Sequence, residues 1–135
     1  MKIICFYGEG NSGKTEIIKK VLNDFFHIKL IRGGKDFSLF FDYKGKKIGI
    51  CSCGDKPSEY ERWLKPLKEA NCDIIICANH TKKKNFGKLL FYFNEGDIEK
   101  IECKGNKNSP LNFQEEDNTR RIREFESIFN SLMTF

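Results

Sequence analysis

Eight residues near the start of the chain have the types and the spacing needed to hold a phosphate group. They fit the pattern G-x-x-x-x-G-K-[ST] and are Gly8, Glu9, Gly10, Asn11, Ser12, Gly13, Lys14 and Thr15. Glycines let the backbone turn through positive φ angles and bring its N–H groups close to an anion. Lys14 would reach the β- and γ-phosphates of a nucleotide, and the Thr15 hydroxyl would bind Mg²⁺. The pattern therefore predicts a site for a nucleoside triphosphate with Mg²⁺ that runs from Gly8 to Glu16.

This segment resembles the P-loop NTPase superfamily, in which it would form a complete Walker A motif. The resemblance covers the motif and the order of strands and helices, and it indicates no narrower family. It implies that Lys14, together with Mg²⁺, stabilises the charge of the transferring γ-phosphoryl group. It also implies a second metal ligand, a carboxylate that follows another strand of the same sheet.

The motif requires a strand before it and a helix after it, and the flanking residues predict both. An apolar run from Ile3 to Tyr7 is typical of a buried parallel strand. After the loop, apolar residues recur as on one face of an amphipathic helix: Ile17, Ile18, Val21, Leu22, Phe25 and Phe26. A strand, a loop and a helix are therefore expected in the order that phosphate binding needs.

Further strands are predicted along the rest of the chain. Residues 37–43 and 46–53 are two β-rich runs around a Lys44–Gly45 turn, which indicates a hairpin. Residues 72–78 predict the clearest buried strand and residues 97–104 a last strand, while residues 27–32 are typical of a short strand or a helix-to-strand passage.

Helices are expected between these strands. One opens at Pro57 and runs to about Ala70, with a break near Lys65 because Pro66 follows. Residues 85–94 fit a strand or a buried helix, and the crossover between parallel strands favours a helix. After a linker at residues 104–110, a closing helix is capped by Asp117 or Asn118, and its apolar face comprises Ile122, Phe125, Phe129, Leu132 and Met133.

This order of elements predicts a single α/β domain over residues 1–135. It would be a three-layer α/β/α P-loop sandwich around a mostly parallel sheet with an antiparallel edge hairpin. Ligands of such sheets bind beyond the carboxyl ends of the strands.

That rule separates the candidate carboxylates. Asp55 follows the strand of residues 46–53 and is expected at the carboxyl end, where it would orient Mg²⁺ directly or through a water. Glu59 is the alternative, and capping of the next helix is the structural alternative for Asp55. Asp73 precedes its strand and is therefore expected at the opposite end of the sheet.

Other polar residues have weaker patterns. The lysines at 82–84 would grip phosphates or a base, or form a solvated basic loop. Arg32, Lys35 and Asp36 flank a Gly-Gly pair in a segment suited to a switch or to acceptor binding. Arg62 could donate hydrogen bonds to a transferring phosphate, but a solvent-facing position on its helix is the preferred expectation. The guanine-reading pattern [NT]-K-x-D and a D-x-x-G element are both missing from the chain, so ATP is expected in preference to GTP.

Composition limits the classes of protein and partner. The chain has no apolar run of about 18 residues, so no membrane segment is expected. The net charge of +5 permits nucleic-acid binding, but a nucleotide accounts for part of that charge, so nucleic acid is the less favoured partner. The six cysteines contain no CxxC pair, which favours reduced core thiols over a metal or redox cluster. With Met1 leading directly into the first strand, a cytoplasmic location is expected.

The functional expectation is a small P-loop enzyme that binds Mg²⁺ and ATP. Hydrolysis is preferred, with a nucleotide or small-molecule kinase as the alternative reaction. A non-catalytic regulatory or assembly module is the alternative class, because the sequence indicates no catalytic base and no arginine finger. A second copy or another protein could supply that arginine.

Overall fold

The computed structural model of the chain describes residues 1–8, 14–29, 37–52, 60–80, 83–103 and 111–134. Five strands and four α-helices are found in these ranges. The strands are β1 (Lys2–Gly8), β2 (Ser38–Tyr43), β3 (Lys46–Cys51), β4 (Ile74–His80) and β5 (Ile98–Cys103). The α-helices are α1 (Lys14–Lys20), α2 (Lys65–Glu69), α3 (Lys83–Tyr92) and α4 (Leu111–Leu132). A π-helical segment, Val21–Phe25, continues α1; another, Tyr60–Leu64, precedes α2; and a 3-10 turn, Glu95–Asp97, precedes β5.

The strands form one mixed, mostly parallel sheet in the order β2-β3-β4-β1-β5. β1 lies between β4 and β5 and runs parallel to both, and β3 runs parallel to β4. β2 pairs antiparallel with β3 at one edge, which confirms the predicted edge hairpin. The φ angles of Lys44 (48°) and Gly45 (83°) are both positive, as a tight turn between twisted strands requires.

Apolar side chains alternate between the two faces of the sheet and form a core on each. On one face, Ile4 and Phe6 of β1 belong to the buried cluster that contains the apolar residues of α1 and α4. On the other face, Ile3 and Cys5 pack in a second cluster with buried residues of the Tyr60–Glu69 segment and of α3. The interior strands β1 and β4 therefore carry apolar side chains on both faces of the sheet, as is typical of buried parallel strands.

Several predicted elements are confirmed, and one boundary is wrong. Residues 85–92 of the predicted 85–94 helix are helical, within α3, which ends at Tyr92, and the segment before Pro66 changes from π- to α-helix at Leu64–Lys65. The closing helix begins at Leu111, so Asp117 and Asn118 lie inside it and do not cap its start. Within residues 27–29 there is no strand, because His27 has a φ of 58° and ends the helical segment. Residues 30–36 and 104–110 lie outside the described ranges.

The cysteine prediction concerns packing, and the described cysteines agree with it. Cys5, Cys51, Cys72, Cys77 and Cys103 are all buried and are not joined in disulfides, whereas Cys53 lies outside the described residues. Burial raises the pKa of the Cys72 thiol above its ordinary value of 9.0. No helix in the described part of the chain is long and apolar enough to cross a membrane.

Candidate phosphate-binding site

The predicted phosphate-binding segment begins where an interior strand of the sheet ends. β1 ends at Gly8 and α1 begins at Lys14, so the structure places both ends of the segment. The intervening residues, Glu9, Gly10, Asn11, Ser12 and Gly13, lie outside the described ranges. The strand before the segment and the helix after it are both present, as sequence analysis predicted.

Lys14 is the buried charge of this site. Its side chain is only 5% exposed, and its Nζ donates a hydrogen bond of 2.9 Å to the carbonyl oxygen of Gly8. A buried ammonium group is costly unless it is hydrogen-bonded, so this bond compensates for part of its desolvation. The ammonium group is thereby held over the carboxyl end of β1, directly beside the start of the predicted loop.

The apolar face of α1 determines the direction of its first residues. Ile17 and Ile18 are fully buried against the sheet, and Lys14 shares their side of the helix. Thr15 is half-buried next to Lys14, while the side chain of Glu16 is exposed. At the start of the helix Lys14 is thus buried with the apolar face and Thr15 is partly covered, whereas the exposed Glu16 could contribute to this site through its backbone N–H.

Buried polar residues are concentrated at this end of the sheet. The described polar or charged residues that are buried are Lys14, Ser52, Asn79 and Arg121, and the first three follow or end strands at the carboxyl edge. Asn79 is fully buried in β4, beside Tyr7 of β1. Because buried amide groups normally form hydrogen bonds, Asn79 brings donors and acceptors next to the end of β1.

Sequence analysis did not identify Asn79 or Ser52 as site residues. The available signal for Asn79 was an amide directly after the apolar run CDIIICA, which the structure includes in β4 rather than in a loop. Ser52 accepts a hydrogen bond of 2.8 Å from Phe37 N–H, and its own N–H donates to the Phe37 carbonyl oxygen at 3.0 Å. Ser52 therefore ties the residue after β3 to the residue before β2.

The strand that precedes Asp55, the predicted metal ligand, is not a neighbour of the strand that precedes the predicted phosphate-binding loop. Asp55 lies outside the described residues, after β3 ends at Cys51. Since β4 lies between β3 and β1, the ends of β3 and β1 are separated by two strand spacings, about 10 Å.

Asp73 lies at the opposite end of the sheet, as its position before β4 predicted. Its carboxylate accepts a hydrogen bond of 2.8 Å from Lys47 N–H. Its backbone N–H donates to Lys47 and its carbonyl oxygen accepts from Lys2 N–H, at 2.8 and 2.9 Å. Asp73 thus joins the amino ends of β3, β4 and β1, and it takes no part in the candidate site.

The remaining predicted residues divide between described and undescribed parts of the chain. Arg62 is exposed, with its guanidinium group 5.0 Å from the centre of the Trp63 ring, which fits the solvent-facing alternative. Glu59, Lys82 and the segment that contains Arg32, Lys35 and Asp36 are outside the described residues. The two lysines that follow Lys82 lie in the first turn of α3, as described by its backbone.

A metal ion at this site would have few protein ligands among the described residues. Among the residues with described positions, no group of three or more His, Cys, Asp or Glu side chains could hold a metal ion. Mg²⁺ in nucleotide sites is typically bound by one or two protein oxygens together with phosphate oxygens and waters. The half-buried Thr15 hydroxyl beside Lys14 fits one such ligand.

Comparison of the chain with protein-family models, curated proteins and solved structures found no match.

Proposed function

We propose that this chain is a P-loop protein with a three-layer α/β/α sandwich, and that it binds a nucleoside triphosphate with Mg²⁺ through residues 8–16. The observation that carries the proposal is the position of Lys14. Lys14 is 5% exposed, its ammonium group is hydrogen-bonded to the last residue of β1, and it belongs to the first turn of the helix that follows the glycine-rich segment. A buried positive charge at the start of a helix that follows a glycine-rich sequence suits an anionic phosphate.

The place of Lys14 in the sheet supports the same proposal. The site lies at the carboxyl end of parallel strands, where ligands of open α/β sheets bind. The buried polar residues Asn79 and Ser52 lie at this end too, which adds hydrogen-bonding groups to an otherwise apolar sheet. Asp73, whose carboxylate would compete with phosphate for Lys14 if it were nearby, is held at the other end by Lys47 N–H.

Bound Mg²⁺ would supply Lewis-acid stabilisation of the phosphate charge. Thr15 would hold it with its hydroxyl oxygen, and Asp55 would orient it directly or through a water. Lys14 would exchange the carbonyl oxygen of Gly8 for the β- and γ-phosphate oxygens, which are stronger acceptors for an ammonium group. The same contact stabilises the charge that develops when the γ-phosphoryl group is transferred.

We propose ATP as the preferred nucleotide and water as the preferred acceptor, with a cytoplasmic location. The preference for ATP rests on the missing guanine-reading pattern. The second possible activity is that of a nucleotide or small-molecule kinase. The third possibility is a non-catalytic module that binds nucleotide stably. A protein partner or a second copy that supplies an arginine would raise turnover in the first two cases.

Thermal unfolding with each ribonucleoside triphosphate and Mg²⁺ tests the binding proposal. At a nucleotide concentration of about 100 Kd, binding adds about 2.7 kcal/mol to the free energy of unfolding and raises the Tm by about 10 °C. ATP should give the largest shift, and the absence of a shift with every triphosphate would contradict the proposal. Phosphate release with and without candidate acceptors then separates hydrolysis, transfer and stable binding.

A further inference from the structure

Among the described residues the sheet has two edge strands, and their sequences differ in how strongly they discourage pairing with another strand. At one edge, β5 carries Glu99, Lys100 and Glu102 and borders a groove of about 250 Å³ lined by charged residues: Lys100, Glu102, Arg120, Arg121 and Glu124. Charged side chains discourage edge-to-edge pairing of strands. At the other edge, β2 has the sequence SLFFDY, in which Asp42 is the single charged residue, and it contains no proline or lysine. The described strands leave the outer side of β2 without a neighbour in the sheet.

The hydrogen bonds of the hairpin show which backbone groups point outward from β2. The carbonyl oxygen of Phe37 accepts from Ser52 N–H, so Phe37 directs its backbone groups towards β3. Successive residues of an antiparallel strand alternate in this direction. The backbone N–H and C=O groups of Leu39, Phe41 and Tyr43 therefore point towards β3. Those of Ser38, Phe40 and Asp42 point outward.

We propose that the outer edge of β2 is a self-association surface, on which β2 of a second copy of this chain pairs antiparallel about a two-fold axis at Phe40. In this register Phe40 lies opposite Phe40 of the second copy, and Ser38 lies opposite Asp42 of the second copy. Each of the three outward-facing residues then donates and accepts one backbone hydrogen bond. A shift of the axis to Phe41 would leave the outward groups at one end of each strand unmatched.

In this register the exposed and half-buried side chains of β2 meet their counterparts on both faces of the sheet, while the Ser38 hydroxyl keeps its 2.7 Å hydrogen bond to the Trp63 carbonyl oxygen. Phe40 is 54% exposed, lies opposite Gly49 in the hairpin, and has its ring centre 5.4 Å from Lys47 Nζ. Pairing about Phe40 brings two exposed aromatic rings together across the axis, an arrangement that stabilises antiparallel pairs. On the opposite face, the half-buried Leu39 would lie beside Phe41 of the second copy.

The position of Asp42, the single charged residue of β2, suits a second copy of the chain as the occupant. An axis at Phe40 places each Asp42 opposite a serine, so the two carboxylates do not face each other. Since the strand is complementary to itself in both hydrogen bonds and side chains, no other sequence is needed to explain its exposed apolar edge. This inference concerns the edge of the sheet furthest from β5 and does not depend on the proposed nucleotide site.

Sedimentation velocity over a concentration series tests the proposal directly. The wild-type chain should shift from monomer to dimer as its concentration rises. Phe40→Glu places like charges opposite each other at the axis and should weaken association by about tenfold or more. Phe91→Glu is the matched control, because Phe91 is 75% exposed on α3, away from β2, and its substitution should leave association unchanged.

A second pair of variants tests the backbone hydrogen bonds if Phe40→Glu fails to fold. Asp42→Pro removes an outward N–H and should abolish association, since proline is tolerated on the free side of an edge strand. Asp42→Ala removes the same side chain, keeps the N–H, and should leave the dimer intact.

Disulfide cross-linking tests the register. Opposed residues of a hydrogen-bonded antiparallel pair have Cα atoms about 5.5 Å apart, which is within disulfide range. Phe40→Cys should therefore give a covalent dimer when diamide oxidises the two thiols. Asp42→Cys should not, because the two Asp42 positions are about 14 Å apart along the strands.

Three results would overturn the proposal. The first is a chain that stays monomeric at every concentration, whether or not β2 binds an extended segment of another protein. The second is a dimer that Phe91→Glu weakens as much as Phe40→Glu does. The third is a dimer that cross-links through Asp42→Cys and not through Phe40→Cys.

Discussion

Replacing Lys14 by methionine should separate nucleotide affinity from folding stability. Methionine keeps most of the aliphatic volume of this 5%-exposed side chain but removes the ammonium group. Loss of the 2.9 Å bond leaves the Gly8 carbonyl without this donor, at a cost of about 1–3 kcal/mol, while relief of the buried charge returns a similar amount. We therefore expect the free energy of unfolding to change by no more than about 1 kcal/mol. A charge-assisted hydrogen bond to phosphate contributes about 1.5–3 kcal/mol, so the affinity for ATP should fall about 10- to 150-fold.

Isothermal titration with Mg²⁺ and ATP, beside urea unfolding of the same protein, measures both quantities. Lys20→Met is the matched control, because Lys20 lies on the same helix, carries the same charge and is exposed. That variant should bind ATP like the wild-type chain. A folded Lys14→Met protein with wild-type affinity for ATP would refute the assignment of Lys14 to phosphate, whatever its stability.

Three further predictions concern the nucleotide, the metal and the core. Titration of the four ribonucleoside triphosphates should favour ATP, and a GTP affinity at least about tenfold higher would show that the missing guanine pattern is uninformative. Asp55→Asn should weaken the Mg²⁺ dependence of nucleotide binding and slow any turnover, whereas Asp73→Asn should change neither; equal effects of both would contradict the placement of the metal. Gly49→Ala should lower the free energy of unfolding by about 1–3 kcal/mol, because its Cβ would lie 3.0 Å from Cys72 Sγ. Gly87→Ala, whose Cβ meets nothing within 4 Å, should instead raise the free energy of unfolding by about 0.5–1 kcal/mol in the same urea titration, because glycine inside a helix is less favourable than alanine.

Local patterns predicted most elements of the fold, because their signals depend on neighbouring residues. The hairpin follows from a Lys44–Gly45 turn between β-rich runs, and the break before Pro66 follows from proline geometry. The capping pattern at Asp117 predicts a start of the last helix that is too late in the chain, since the helix begins at Leu111. Pro110, immediately before Leu111, was the better signal, because proline is favoured at the start of helices.

The strand order could not be predicted, because it depends on contacts between distant segments. β4 inserts between β3 and β1, and no local pattern distinguishes this order from one in which β3 and β1 are neighbours. The same limit applies to the site. Lys14 and Thr15 follow from a motif, whereas Asn79 gains its place only from the register that sets it beside Tyr7. Ser52 likewise gains its role from its hydrogen bonds with Phe37 across the hairpin.

The most direct test of the central claim is a crystal structure of the chain with Mg²⁺ and a non-hydrolysable ATP analogue. The account predicts that the β- and γ-phosphates lie over residues 8–15, with Lys14 Nζ and a phosphate oxygen within about 3 Å, a hydrogen-bond distance. It further predicts the Thr15 hydroxyl on the metal, and Asp55 within about 7 Å of it, the reach of one bridging water. A nucleotide bound elsewhere on the chain, with Lys14 still hydrogen-bonded to Gly8 and clear of phosphate, would contradict the account.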